Sequence, residues 1–196
     1  MRRQALVLAL LAFAATAHGT SVVLSMQQQN TLTPIDSVPT TSELDALFPD
    51  AGSALDGLAL IAQDSTTDVG IRIRALHALT QYCAAPCADG DPAHQALVQF
   101  IVNNQTDATG TTSVMLRSAI EALGPQRVAT DLTLLEGLLD HPSRDIRAAT
   151  AHALRDLCNT NAILDLRIRE SIETTDQVRL AISEALRVLG QPSPCP

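Results

Sequence analysis

A nine-residue segment recurs four times along the chain, and this repetition limits the possible folds more than any other feature of the sequence. Each copy begins with an apolar residue and ends in Ala-Leu, and successive copies start 44, 31 and 32 residues apart. Repeat periods of this length are typical of stacked arrays of one supersecondary unit. The copies occupy residues 71–79, 115–123, 146–154 and 178–186.

The shared positions of the segment have the spacing of a helix that buries one narrow face. At about 100° per residue, the first, fifth, eighth and ninth positions lie on one apolar stripe. In the first copy these positions hold Ile71, Ala75, Ala78 and Leu79. Small alanines allow neighbouring helices to approach closely, and a helix with a single apolar stripe buries that stripe by stacking.

A second helical pattern precedes each copy, so the repeating unit is a helix, a short turn and a helix. These patterns cover residues 54–63, 93–102, 128–139 and 162–172. Thr174 and Gln177 have the spacing of a capping box before the last copy, and Gly124 and Gly190 follow two of the helices. No alternating β pattern of comparable length is present. The sequence predicts an all-α fold, an α-solenoid of about four helical hairpins over residues 53–190.

The first 17 residues have the pattern of a secretory signal peptide. Two arginines at positions 2 and 3 precede an apolar stretch over residues 5–15, and the small residues Ala15 and Ala17 mark a cleavage site. The stretch is shorter than the roughly 20 residues that a membrane-spanning helix needs. We therefore expect export to the periplasm or the extracellular space, with no membrane insertion after the signal is removed.

Two polar segments flank the predicted repeats. Residues 18–52 are interpreted as a leader or linker, extended over residues 20–41 and with a short helix over residues 42–48. Residues 191–196 form a tail rich in Pro with one Cys.

The charge balance argues against nucleic acid as a partner. Removal of the signal leaves 11 of the 13 basic residues against 21 acidic ones, a net charge of −10. Binding to phosphates requires clustered cations that release counterions, and the sequence contains no basic stretch.

Four cysteines in an exported protein suggest two disulfides. They are Cys83, Cys87, Cys158 and Cys195, and three pairings are possible. Cys83 and Cys87 flank Ala-Ala-Pro, which breaks a helix and allows the two sulfurs to meet. This pairing leaves Cys158 with Cys195.

The repeated segment resembles the HEAT-like repeat family, in the short form found in bacterial proteins. The match is apolar-Arg-x-x-small-x-x-Ala-Leu on the second helix of each unit, and it extends over residues 53–190. The resemblance implies a right-handed α-solenoid that binds a partner along one helical face. Related hydroxylases hold metal with His-Glu dipeptides, and this chain contains none.

Arginine recurs at the second position of three copies. Arg72, Arg147 and Arg179 would form a ladder in a stack, each reaching acidic groups or carbonyls of neighbouring turns. We interpret the ladder as a structural brace between repeats.

The seventh position of the copies alternates between histidine and glutamate. His77, Glu121, His152 and Glu184 lie away from the apolar stripe and are expected near solvent, with Arg74 one turn before His77. Packed helix axes are about 8–10 Å apart, whereas metal ligands lie about 2.0–2.2 Å from the ion, so four such side chains cannot share one metal. We interpret these five residues, the polar row, as a candidate partner-binding face.

No catalytic motif accompanies the repeats. The sequence lacks a Gly-x-Ser-x-Gly nucleophile elbow, and we expect neither a cofactor, a metal nor enzymatic activity. The expected function is a scaffold or adaptor that binds another exported protein. The alternatives are an assembly or maturation factor for an exported enzyme and, from a different class, a metal-dependent enzyme.

Overall fold

The structure is a computed structural model that describes residues 22–34, 37–48, 53–107 and 109–192. These residues form α-helices, short 3-10 turns and loops, and none of them forms a β-strand, which confirms the all-α prediction. The predicted signal peptide lies outside the described residues. Within the described ranges, no helix has both the length and the apolar composition needed to cross a membrane.

The described residues contain ten α-helices. They are α1 (Met26–Leu32), α2 (Thr41–Leu47), α3 (Ser53–Gln63), α4 (Val69–Leu79), α5 (Pro92–Asn104), α6 (Gly110–Leu123), α7 (Leu132–Leu138), α8 (Arg144–Leu157), α9 (Ile163–Ile172) and α10 (Asp176–Leu189).

The four copies of the repeated segment lie in α4, α6, α8 and α10, and these helices pack against one another in chain order. The preceding helices α3, α5, α7 and α9 each pack against the repeat helix that follows. The apolar stripe predicted from the sequence faces the core: Ala75, Ala78 and Leu79 are fully buried. Thr150 occupies a stripe position in α8 and is also fully buried. Its hydroxyl donates to the Ile146 carbonyl at 2.8 Å, which offsets the cost of burying this polar group.

The segment expected to be an extended leader is instead partly helical and packed on the core. Ser25 caps α1 in a capping box: its hydroxyl accepts from the Gln28 amide at 3.2 Å, and the Gln28 side chain accepts from the Ser25 amide at 2.9 Å. Leu32, at the end of α1, is fully buried. The Val22 amide donates to the Asp64 carboxylate at 2.8 Å. The extended conformation expected over residues 20–41 was wrong where α1 forms, because local caps and one buried leucine attach this polar stretch to the repeats.

The second leader helix, α2, agrees with the short helix expected near residues 42–48. Thr40 and Glu43 form its capping box, and Leu44 is fully buried. Tyr82 donates its hydroxyl proton to the Asp45 carboxylate at 2.7 Å, which links α2 to the turn after α4.

The start of α10 differs from the capping box expected at Thr174 and Gln177. The N-cap is Thr175, whose side chain makes no capping hydrogen bond. The Glu173 carboxylate accepts from the amides of Thr174 and Thr175 at 3.0 and 2.9 Å. The Glu173 carboxylate, held by Arg147 of α8 and Arg169 of α9, thus pairs with the two amides just before α10 and not with those of its first turn.

The two glycines expected at helix ends do occupy the C-cap positions of α6 and α10. Gly124 has a right-handed conformation, so its role is not to supply a left-handed turn. A Cβ at this position would lie 2.6 Å from the Ala153 Cα, because the backbone of α8 crosses directly over it.

Candidate functional site

Three concavities adjoin one another beside the repeat helices, and we call them together the trough. The first has a volume of about 670 Å³ and is lined by Arg74 and His77 of α4. The second, of about 300 Å³, shares His77 with the first and is also lined by Glu121 of α6.

The third concavity continues the trough toward the last repeat. It has a volume of about 650 Å³ and shares Ala85 and Pro125 with the second concavity. Arg155 and Asp156 of α8 and Glu184 of α10 line it. Four of the five polar-row residues thus line the trough: three hold the same position on helices that pack side by side, and Arg74 lies one turn before His77.

His152, the remaining polar-row residue, does not line any of these three concavities. Its Nδ1 atom is buried and has no hydrogen-bond partner among the described residues. The seventh-position side chains are also less exposed than expected: all four are half-buried, because a repeat helix flanks them on at least one side.

Burial favours the uncharged form of the His77 imidazole. Loss of hydration lowers the pKa of its imidazole, the nearby Glu121 carboxylate opposes this effect, and Arg74 adds to it. The lowered pKa favours the uncharged ring at neutral pH, so His77 presents an imidazole that both donates and accepts hydrogen bonds.

Ion pairs hold the two glutamates of the trough. Glu121 accepts from Arg117 Nε, one turn earlier on α6, at 2.8 Å. Glu184 accepts from Arg155 Nη1 at 2.8 Å, and this pair joins α10 to α8. Arg155 also contacts Asp156 at 2.7 Å. Both signs of charge are therefore present along the trough, at positions that solvent reaches.

Gln126 is a trough residue that the sequence analysis did not identify. It ends the 3-10 turn Gly124–Gln126 after α6 and lines the second concavity. The residue is 3% exposed, and neither Oε1 nor Nε2 of its side chain has a hydrogen-bond partner among the described residues. Its carbonyl accepts from the Cys87 amide at 2.8 Å. A Gly-Pro-Gln sequence indicates only a turn, so no local signal marked this residue.

The loop after α4 closes one side of the trough. Cys83 and Cys87 form a disulfide with a Cα–Cα distance of 5.5 Å, in agreement with the predicted pairing. Asp91 lies close enough to both sulfurs to suggest a metal site, but sulfurs in a disulfide offer no thiolate ligands. The predicted bond between Cys158 and Cys195 involves a residue outside the described ranges and stays a prediction.

The three ladder arginines have different partners. Arg72 donates from Nε to the Ala62 carbonyl at 3.0 Å, which joins α4 to α3 within one hairpin. Arg147 is buried and pairs with Glu173, before the next repeat helix, through hydrogen bonds of 2.8 and 3.0 Å. Arg179 is exposed and pairs with Asp176 on its own helix. Among them, Arg147 alone makes a contact of the kind expected for a brace between repeats.

A buried pair away from the trough was also missed by the sequence analysis. His94 Nε2 of α5 donates to the carboxylate of Asp131 at 2.9 and 3.0 Å, and both residues are buried. Burial raises the pKa of the Asp131 carboxyl group, and the hydrogen bond from His94 opposes this rise. The residues are 37 positions apart, so local patterning could not reveal their contact, which joins α5 to the turn before α7.

The trough offers groups suited to recognising a polar surface: carboxylates, guanidinium groups and an imidazole. Comparisons of this chain with protein-family models, with curated proteins and with solved structures found no match.

Proposed function

We propose that this protein is an exported scaffold or adaptor that binds another protein in the trough, and that its hairpins form a short α-solenoid of the HEAT-like type. The observation that carries the proposal is the continuity of the three concavities. They share lining residues, and they collect Arg74, His77, Glu121 and Glu184 from three different helices.

The shape and chemistry of the trough favour a macromolecular partner over a small ligand. Small-molecule sites are usually single, mostly apolar pockets with few polar groups. The trough instead crosses several helices and carries charges of both signs on half-buried side chains. Such side chains orient a partner and speed its encounter, more than they add affinity. The acidic balance of the chain favours a partner with a basic segment.

Export of the protein is supported by two separate features. The first 17 residues have the pattern of a signal peptide, and the disulfide between Cys83 and Cys87 is typical of oxidising compartments. The partner is therefore expected in the same compartment.

Site-specific photo-crosslinking in the organism that makes the protein tests the proposal. A photo-reactive residue replaces Arg74 or Glu184 in the trough, or Asp56 of α3 as an exposed site outside it. We expect both trough positions to crosslink to the same protein and Asp56 not to do so.

A second step measures binding of that protein after purification. Reversing the charge of Glu121 and Glu184 together should weaken association and change its dependence on salt, since these glutamates lie at the solvent-accessible rim. The matched control reverses Asp56 and Glu136, which lie on α3 and α7 outside the trough. Loss of binding in the control but not in the trough variant would place the interface elsewhere, and turnover of a small substrate by metal-free protein would refute the scaffold proposal.

A further inference from the structure

The loop after α4 brings two sulfurs and a carboxylate together. The sulfurs of Cys83 and Cys87 and a carboxylate oxygen of Asp91 all lie within 4.8 Å of one another. The two sulfurs are close because they are bonded to each other, whereas Asp91 is placed beside them by the course of the backbone. Thiolates and carboxylates are common ligands of Zn²⁺. The loop therefore contains three metal-ligand side chains, two of which the disulfide keeps from binding an ion.

Backbone hydrogen bonds hold these residues in place independently of the disulfide. The Cys87 amide donates to the Gln126 carbonyl at 2.8 Å, and the Asp91 amide donates to the Ala88 carbonyl at 3.1 Å. Asp91 is also the N-cap of α5: its Oδ1 accepts from the Ala93 amide at 2.9 Å, which fixes the carboxylate and leaves Oδ2 for a ligand. We therefore expect the three side chains to remain neighbours when the sulfurs are no longer bonded.

We infer that reduction of the Cys83–Cys87 bond creates a binding site for Zn²⁺, with two thiolates and the Asp91 carboxylate as ligands. A dithiol reductant supplies two electrons and two protons and is itself oxidised to a disulfide, so the loop gains two thiols. The ion then binds as both thiol protons leave to solvent. This inference is independent of the proposed scaffold function.

The geometry of the loop suits a tetrahedral ion. Ligand distances of about 2.3 Å for sulfur and 2.0–2.2 Å for oxygen place two ligands of one such ion about 3.6–3.8 Å apart. The Cα atoms of the two cysteines are 5.5 Å apart, so rotation of the side chains is sufficient to separate the sulfurs to that distance. Cys83 and Asp91 are only half-buried, and solvent can therefore supply the fourth ligand.

Other cations fit these ligands less well. Ca²⁺ and Mg²⁺ bind through oxygen atoms, and this site has two sulfurs. Cu⁺ prefers soft sulfur ligands, so it would bind the two thiolates without needing the carboxylate. Dependence of binding on Asp91 thus separates a Zn²⁺ site from a site for Cu⁺. A bound Zn²⁺ would join the turn after α4 to the start of α5, where Asp91 caps the helix.

Titration of the mature protein with Co²⁺ tests the site, because the visible absorption of Co²⁺ reports tetrahedral geometry and thiolate ligands. The protein is reduced with a dithiol, which is then removed in the absence of air. We expect the reduced protein to bind one Co²⁺ with a tetrahedral, thiolate spectrum, and Zn²⁺ to displace it. Zn²⁺ should also raise the melting temperature of the reduced protein. The oxidised protein should show neither effect.

The variant Asp91→Asn separates the ligand role of this residue from its role as a cap. Asparagine caps a helix as well as aspartate does, so the melting temperature without metal should not change. Loss of the carboxylate should nevertheless weaken Zn²⁺ binding by at least about tenfold. Asp89→Asn is the matched control, since it makes the same change at an exposed position of the same loop and should leave the affinity unchanged.

The two other cysteines of the chain, Cys158 and Cys195, could also bind metal as thiols. Replacing both with Ser should leave Co²⁺ binding unchanged, whereas Cys83→Ser should abolish the thiolate spectrum. If the double variant does not fold, Cys83→Ser and Asp91→Asn decide the question on their own.

Four results would overturn the inference. They are loss of the helical circular-dichroism signal on reduction, equal Co²⁺ binding by oxidised and reduced protein, unchanged Zn²⁺ affinity in Asp91→Asn, and a thiolate spectrum that persists in Cys83→Ser.

Discussion

At the scale of single residues, Arg147 and Glu173 make the densest polar contact between two repeats. The Arg147 guanidinium donates to both oxygens of Glu173 and to the carbonyls of His141 and Pro142, at 2.8 to 3.0 Å. Glu173 also accepts from the backbone at the start of α10. Both side chains are buried, so each one satisfies a charge that would otherwise be isolated.

Replacing Glu173 with Gln should destabilise the protein by about 3–5 kcal/mol at pH 7, because Arg147 would lose its buried counter-ion. Urea unfolding of the wild type and the variant measures this difference. Arg179→Ala is the matched control, since Arg179 has the same position in the last copy but pairs with Asp176 in solvent. Its effect should stay within about 0.5 kcal/mol.

The same pair predicts how stability depends on acid. Hydrogen bonds from Arg147 hold the pKa of the Glu173 carboxyl group well below its usual range, with help from the Thr175 amide and Arg169. The folded state therefore binds the proton less readily than the unfolded chain, in which glutamates titrate at about pH 4.3. This stabilisation is complete above that pH and is lost as the pH falls below it. Glu173→Gln should flatten the fall in unfolding free energy between about pH 5 and pH 2, and an unchanged slope would contradict this.

At the scale of helices, the contact between α6 and α8 depends on a missing side chain. A Cβ on Gly124 would lie 2.6 Å from the Ala153 Cα and 2.7 Å from its carbonyl oxygen. Backbone atoms cannot rotate away as a side chain can, so Gly124→Ala should cost about 1–3 kcal/mol.

Gly137→Ala provides the opposite expectation on α7. A Cβ there meets nothing within 4 Å, and alanine favours a helix over glycine by roughly 0.5–1 kcal/mol. Thermal melts should show a lower midpoint for the Gly124 variant and an equal or higher midpoint for the Gly137 variant. Equal shifts in the same direction would show that helix propensity, not the crossing of α8, governs both sites.

The two leader helices are expected to contribute to folding stability. Leu32 of α1 and Leu44 of α2 are fully buried in the same core as the repeat helices. Each change to Ala should therefore cost about 2–5 kcal/mol, as is usual for large-to-small core substitutions. Leu60→Ala on α3, where the side chain is 51% exposed, should change the unfolding free energy little. A leader that were only a linker would give small effects at all three positions.

At the scale of the whole molecule, stability should be unequal along the series of repeat helices. α6 packs against α4 and α8, and α8 packs against α6 and α10, whereas α10 has a repeat helix on one side. Units that contact only their neighbours are stabilised chiefly by those interfaces. Native-state hydrogen exchange should give the strongest protection in α6 and α8 and weaker protection in α10. Uniform protection would show that the described helices open as one cooperative unit.

The sequence alone was sufficient to predict the all-α class, the approximate helix boundaries and the Cys83–Cys87 bond. These features depend on local causes: an apolar stripe with a 3.6-residue period, turn residues between helices and a helix break between two close cysteines. Part of the polar row follows the repeat: His77, Glu121 and Glu184 share one helical position and line the trough, whereas His152 at the same position does not. The capping box expected at Thr174 did not form: α10 begins with Thr175 as its N-cap, and Glu173, held by Arg147 on another helix, accepts from the Thr174 and Thr175 amides.

Tertiary structure decided the features that depend on residues distant in the chain. The buried amide of Gln126, the His94–Asp131 pair and the docking of Leu32 have no periodic or motif signal, because each arises from how separate helices pack. The trough itself is of this kind: its residues were predicted as a row, but its concavity comes from the loop after α4 and the turn after α6. Apolar periodicity and turn residues within each segment specify which segments become helices. The packing of those helices specifies which of their polar groups become buried, paired or available to a partner.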